Sequence, residues 1–128
     1  MSAYRLSGGI LIIGQTEEPK DLLIKNGTIE AVIPRDAVVS SDYRTIDCSK
    51  LYVSPGFVDI HTHGGGGSDY MDDDPDAYLN ASDAHLRHGT TSLMPTLTSA
   101  SGKILLSSIA RYKRAESDPR IRANILGL

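Results

Sequence analysis

The chain has little of several things, and each shortage excludes a class of protein. It holds one cysteine, Cys48, in 128 residues. It therefore cannot close an internal disulfide or build a cysteine-rich zinc site, and Cys48 reads as a buried spectator thiol rather than a reactive one. No basic-then-apolar leader opens the sequence, and the run Ile10 to Ile13 is far too short to span a bilayer. The expectation is a cytoplasmic protein with no membrane partner. Excess positive charge is missing too. Against 16 Asp and Glu stand 13 Lys and Arg, a net charge of −3, which argues against a nucleic-acid partner. No segment repeats, and no stretch is of low complexity beyond the four glycines Gly64 to Gly67. What remains, 40% apolar and 23% charged, is a globular composition with enough chain for one core.

Apolar periodicity divides the sequence at Pro55-Gly56. Before it come short strands in succession. The first candidate covers residues 4 to 13 and is interrupted by Gly8-Gly9. Asp21 to Lys25 and Thr28 to Ile33 flank Asn26-Gly27, a pair that favours a tight hairpin because both turn positions need positive φ. Alternation puts Ile29, Ala31 and Ile33 on one face of the second arm, and Pro34 ends it. Two more strands, Arg44 to Asp47 and Leu51 to Val53, complete what reads as half of a small β-sandwich over residues 1–54.

From residue 55 to 128 strands alternate with helices, the mark of βα units and a parallel sheet. Phe57 to Ile60 reads as a buried strand. A helix follows, with Asp74 as N-cap, Pro75 at its first position, Tyr78, Leu79, Ser82 and Leu86 as its apolar stripe, and Gly89 just past its end. Thr90 to Met94 is a second strand, stopped by Pro95. A second helix runs from about Ser101 to Glu116 with Ile104, Leu105, Ile109 and Tyr112 as its stripe, and Ile121 to Leu128 is a third strand.

The chemistry concentrates at the end of the first of these strands. His61 and His63 are two of only four histidines, and residues i and i+2 of a strand point to the same face. Two imidazoles aimed at one point, followed by a glycine loop through which a ligand can approach, have the geometry of a metal site; two hydrogen-bonded structural histidines are the alternative. By alternation Asp59 shares their face, where it can orient an imidazole.

The run Pro55-Gly56-Phe57-Val58-Asp59-Ile60-His61-Thr62-His63-Gly64 resembles the first-strand signature of the amidohydrolase superfamily. The extended string through Met71-Asp72, with Gly89-Thr90-Thr91-Ser92-Leu93-Met94-Pro95-Thr96-Leu97-Thr98 downstream, is most similar to the N-acetylglucosamine-6-phosphate deacetylase family. The resemblance implies an α/β fold: the N-terminal half of a small β-sandwich, then the first βαβαβ units of a metal-dependent (β/α)₈ barrel. Such a barrel needs roughly 200 residues or more, so the resemblance implies an incomplete barrel, the front third of the enzyme. It implies hydrolysis of the acetamide of a small-molecule amino-sugar phosphate, N-acetylglucosamine 6-phosphate, with His61 and His63 as metal ligands. The ion would be divalent, zinc by expectation, with one or two in the full-length enzyme. The catalytic carboxylate and the other ligands would lie beyond Leu128, so no catalytic residue is assigned here and the chain alone is expected to be inactive. A homo-oligomer is expected, because half a sandwich and three barrel strands leave edges to cover. Another superfamily hydrolase, of dihydroorotase or hydantoinase type, and a non-catalytic assembly module stay open as alternatives.

Other groups read as structural. His85 and His88 share a helix face and are expected at the surface. Arg111, Lys113 and Arg114 read as a solvated face, favourable at the negative end of the helix. Asp72-Asp73-Asp74 lacks the alternating spacing of a calcium loop. The glycine run lacks the Lys-Ser/Thr of a phosphate-binding loop. Asp69 and Met71 are candidates to line a pocket.

Overall fold

The structure, a computed structural model, describes residues 2–128. It forms two compact units, the first ending at Pro55 and the second starting at Gly56.

The first unit is all β. Its strands are β1 (Ala3–Ser7), β2 (Ile10–Ile13), β3 (Thr16–Glu18), β4 (Lys20–Lys25), β5 (Thr28–Pro34), β6 (Arg44–Asp47) and β7 (Tyr52–Val53). They build a four-stranded sheet of order β5-β4-β1-β6 and a three-stranded sheet of order β3-β2-β7. The expected first strand breaks at Gly8-Gly9 into β1 and β2, which belong to different sheets. The expected hairpin forms as well: Asn26 at φ 51° and Gly27 at φ 81° make the turn between β4 and β5.

The face assignment on β5 does not hold. Leu23 pairs with Ala31 but Ile24 pairs with Ile29, so Glu30 is an extra, bulged residue. The bulge brings Ile29 and Val32 to one face. There they line an apolar groove of about 290 Å³ with Leu11, Ile13, Leu22 and Val53. On the opposite face Asp21 is fully buried. Its carboxylate accepts from Arg5 Nε at 2.7 Å, Ser7 Oγ at 2.7 Å and Gly8 N at 3.1 Å, and pairs with Arg5 Nη2 at 2.6 Å. Cys48 is buried and free.

The second unit is α/β. Its elements are β8 (Phe57–Thr62), β9 (Gly64–Gly65), β10 (Ser68–Asp69), α1 (Ala77–Arg87), β11 (Thr90–Pro95), α2 (Gly102–Ala115) and β12 (Asn124–Ile125). β8, β11 and β12 form a parallel sheet of order β12-β11-β8, and β9 and β10 form a hairpin. The core gathers Tyr70, Tyr78, Ala81 and Ala115, with Tyr112, Ile121 and Ile125 packed against them. No helix among the described residues is long and apolar enough to cross a membrane.

Four local expectations need correction. The third strand shrinks to Asn124–Ile125, because its ladder to β11 reaches only Ser92 and Leu93. α1 begins two residues late: Asp74 closes a turn, accepting from Asp76 N at 2.9 Å, and Asp76 becomes the N-cap without a side-chain bond. α2 is capped by Ser101, whose side chain accepts from Ile104 N, but it buries Ser108 and Ala115 and leaves Ile104 and Ile109 exposed. Phe57, Val58 and Ile60 are exposed at 64%, 59% and 68%. β8 is the edge of its sheet, and α1 packs on β9, β10 and β11 instead.

Candidate functional site

β8 delivers His61 and His63 side by side at its C-terminal end. Their ring centroids stand 5.2 Å apart with the planes at 87°. His61 is exposed and His63 half-buried. Between them Thr62 turns the other way and is buried, as strand alternation requires.

The neighbouring strand brackets this end. The N–H of Thr96, one residue past β11, donates to Thr62 O at 2.8 Å. The Thr96 carbonyl lies 2.8 Å from His63 Nδ1. A carbonyl only accepts, so the proton of this bond is on His63 Nδ1, and in the neutral ring the lone pair lies on Nε2. That tautomer, held by a backbone carbonyl, is what a metal-ligating histidine needs. The donor set thus fits half of a divalent-ion site. No group of three or more His, Cys, Asp or Glu side chains converges among the described residues.

Asp59 does not touch an imidazole. Its Oδ1 accepts from His61 N at 3.0 Å, so it holds the backbone that carries the ring.

The glycine run is not an open loop. Gly66 (φ 60°) and Gly67 (φ 85°) make a tight turn that folds β9 onto β10. A Cβ on Gly64 would lie 2.1 Å from Ser68 O, and one on Gly66 would lie 2.9 Å from Ala84 Cβ. Close packing within the hairpin and onto α1 demands the glycines, rather than approach of a ligand. Asp69 and Asp72 cap this hairpin: Asp69 Oδ1 accepts from Met71 N and Asp72 Oδ2 from Asp69 N, both at 2.8 Å. The Met71 sulfur faces Thr98 N at 3.2 Å.

Two residues expected at the surface turn inward. His85 Nε2 sits 3.1 Å from Thr62 Oγ1 and 3.0 Å from Gly64 O. Its sequence signal was present: Tyr78, Ser82 and His85 follow at helical spacing, so His85 extends the buried stripe. Arg111 is 10% exposed and donates to Asp73 Oδ1, Met71 O and Ser108 Oγ at 3.0, 3.0 and 3.2 Å, tying α2 to the segment after the hairpin. His88, Lys113 and Arg114 are exposed. Nearby, burial pushes the Tyr70 and Tyr78 phenols up to about 12, with the charges of Asp59 on Tyr70 and of Tyr70 on Tyr78 adding to it.

Comparison with known proteins gives these elements relatives. No family model matches the chain. An N-acetylgalactosamine-6-phosphate deacetylase of Escherichia coli O157:H7 is 31% identical over 106 residues, 83% of this chain and 26% of that protein. A D-hydantoinase of Rhizobium radiobacter is 29% identical over 84% of this chain and 22% of its own length. Among solved structures, a mutant N-acetyl-D-glucosamine-6-phosphate deacetylase of Mycobacterium smegmatis, in complex with N-acetyl-D-glucosamine-6-phosphate, superposes with a TM-score of 0.79. It is 27% identical over 94% of this chain and 31% of that one. The chain thus spans about a quarter of the length of the curated relatives it matches. Over that span its curated relatives and structural neighbours include N-acetylglucosamine-6-phosphate deacetylases and other members of the amidohydrolase superfamily.

Proposed function

We propose that this chain supplies the N-terminal portion of a metal-dependent amidohydrolase acting on N-acetylglucosamine 6-phosphate. Water adds to the acetamide carbonyl, the C–N bond breaks, and glucosamine 6-phosphate and acetate leave. The observation that carries the reading is the pairing of His63 Nδ1 with the Thr96 carbonyl, which leaves Nε2 free beside His61 at the end of a parallel strand. His61 and His63 would hold a divalent ion, zinc by chemistry of the donor set. Such an ion, when bound, acidifies water and polarises an amide carbonyl. The chain's own residues do the positioning: Thr96 fixes the tautomer of His63, and Asp59 fixes the backbone of His61.

The parallel β8-β11-β12 sheet is read as the start of a (β/α)₈ barrel, with the candidate ligands at the C-terminal strand end where such barrels keep their chemistry. With two candidate ligands, the 128 residues alone are expected to turn over no substrate. The exposed edge of β8 supports the expectation that the protein works within a larger assembly, a homo-oligomer being the simplest. The similarity to a D-hydantoinase favours a second reading, hydrolysis of a cyclic amide. Acetate release and ring opening, measured side by side on a gene product of the relatives' full length, separate the two. Release of acetate from N-acetylglucosamine 6-phosphate and none from hydantoin upholds the deacetylase, and the reverse removes it.

A further inference from the structure

We propose that His85 is a positioning residue for the His61-Thr62-His63 strand end, acting through its Nε2–H; this rests on the reading of the two histidines as metal ligands. Three polar atoms meet beneath the strand. Gly64 O accepts from Thr62 Oγ1 at 3.1 Å, and His85 Nε2 stands 3.0 Å from that carbonyl and 3.1 Å from Thr62 Oγ1. Gly64 O can only accept, and the single Thr62 hydroxyl proton goes to it. His85 must therefore supply the other proton, which places it on Nε2.

The triangle is largely shielded, with Thr62 buried and Gly64 and His85 half-buried. Thr62 is 8% exposed, and a Cβ on Gly65 would lie 3.0 Å from His85 Nε2, so the imidazole is seated directly on the glycine backbone. Thr62 lies between the two candidate ligands and faces away from them. Fixing its hydroxyl, together with the carbonyl two residues on, fixes the twist of the strand between the two rings. From the other side the Thr96 main chain holds Thr62 O and His63 Nδ1. The strand end is thus gripped by α1 below and by the segment after β11 beside it. Without the first grip both imidazoles are free to turn out of register.

Cobalt(II) titration of the 128-residue chain, followed by the visible ligand-field bands, tests this. His85→Leu is expected to weaken cobalt binding about tenfold, the low end of the loss seen when a partner behind a metal ligand is removed. His85→Gln, whose amide nitrogen reaches the same point as Nε2, is expected to restore wild-type affinity. Cobalt binding by His85→Leu as tight as wild type overturns the proposal, and so does an equal loss in the Leu and Gln variants, which would make the imidazole a matter of shape. A His61→Ala/His63→Ala variant separates the two layers. If it binds cobalt as wild type does, the metal reading itself fails and His85 falls with it; if it alone loses cobalt, only His85 is refuted. Nitrogen-15 spectra of the unaltered chain need no variant to fold: a proton on Nδ1 of His85 instead of Nε2 overturns the proposal.

Discussion

The two units keep their deepest polar groups in different ways. In the first, the deepest polar group is a charge with a partner on each oxygen: Asp21 accepts from Arg5 and Ser7 on Oδ2 and from the Gly8 backbone on Oδ1. In the second, the deepest groups are hydroxyls, and they are matched unevenly: Ser108 takes a bond from Arg111 at 3.2 Å, whereas the Tyr78 phenol finds no hydrogen-bond partner among the described residues. A satisfied buried charge makes a unit depend on one residue. Unsatisfied hydroxyls contribute little beyond the area of their rings, and their removal costs little.

Breaking the comparison at its strongest point means Asp21→Asn. That change leaves Arg5, whose side chain is 18% exposed, without its counter-charge. A loss on the order of 3 kcal/mol is expected, read by urea unfolding and by amide exchange in β4. Acid should act at the same place. Burial alone pushes the Asp21 carboxyl up, but the hydrogen bonds from Ser7, Gly8 and Arg5 outweigh it and hold the carboxyl below its ordinary range. A lowered folded value stabilises above the unfolded pKa of about 4 and is lost as pH falls through the folded one. Exchange protection in β4 that survives both Asp21→Asn and pH 2 would end this half of the comparison.

A middle-sized effect belongs to the hairpin of the second unit. Gly64→Ala places a methyl 2.1 Å from Ser68 O, and the backbone must move. A loss of about 1–3 kcal/mol is expected, with the strongest exchange increase at Tyr70 N, which donates to His63 O at 2.9 Å.

The smallest effect sharpens the contrast. Tyr78→Phe removes a buried hydroxyl that has no partner, so stability should change by less than about 1 kcal/mol and in the favourable direction. Its signature lies in alkali instead. A phenol pushed up to about 12 must stay neutral in the folded unit. That contribution is whole below the unfolded value of about 10 and lost as pH rises to about 12. Thermal melts in that window should fall less steeply for Tyr78→Phe than for the unaltered chain. An identical slope would show that Tyr78 ionises freely.

Reading the sequence found the longer strands, the hairpin at Asn26-Gly27, both helices and the closeness of His61 and His63, because each of these is written in local spacing, but it missed the short strands β3, β9 and β10. It could not find what long-range packing decides. Phe57, Val58 and Ile60 carry a buried strand's composition, yet edge position leaves them exposed. The glycines were legible as unusual backbone. Their reason, a hairpin pressed on Ala84 and His85, depends on a helix some twenty residues away. His85 and Arg111 looked solvated because a charge pattern on a helix does not say what lies opposite. Arg111 finds Asp73, 38 residues earlier, and His85 finds Thr62, 23 residues earlier.

The bulge at Glu30 acts as a phase slip. A strand's inside and outside are a two-letter alternation, and one surplus residue inverts every letter beyond it. Ile29 and Val32, three apart, end on one face because of that surplus. The composition of β5 is blind to the slip, and so is any average of its hydropathy. A deletion or insertion of a single residue here would leave the strand as apolar as before. It would nonetheless exchange the groove for the face that carries Asp21. The position of one glutamate, rather than the amount of apolar side chain, therefore decides which surface of this sheet is oily.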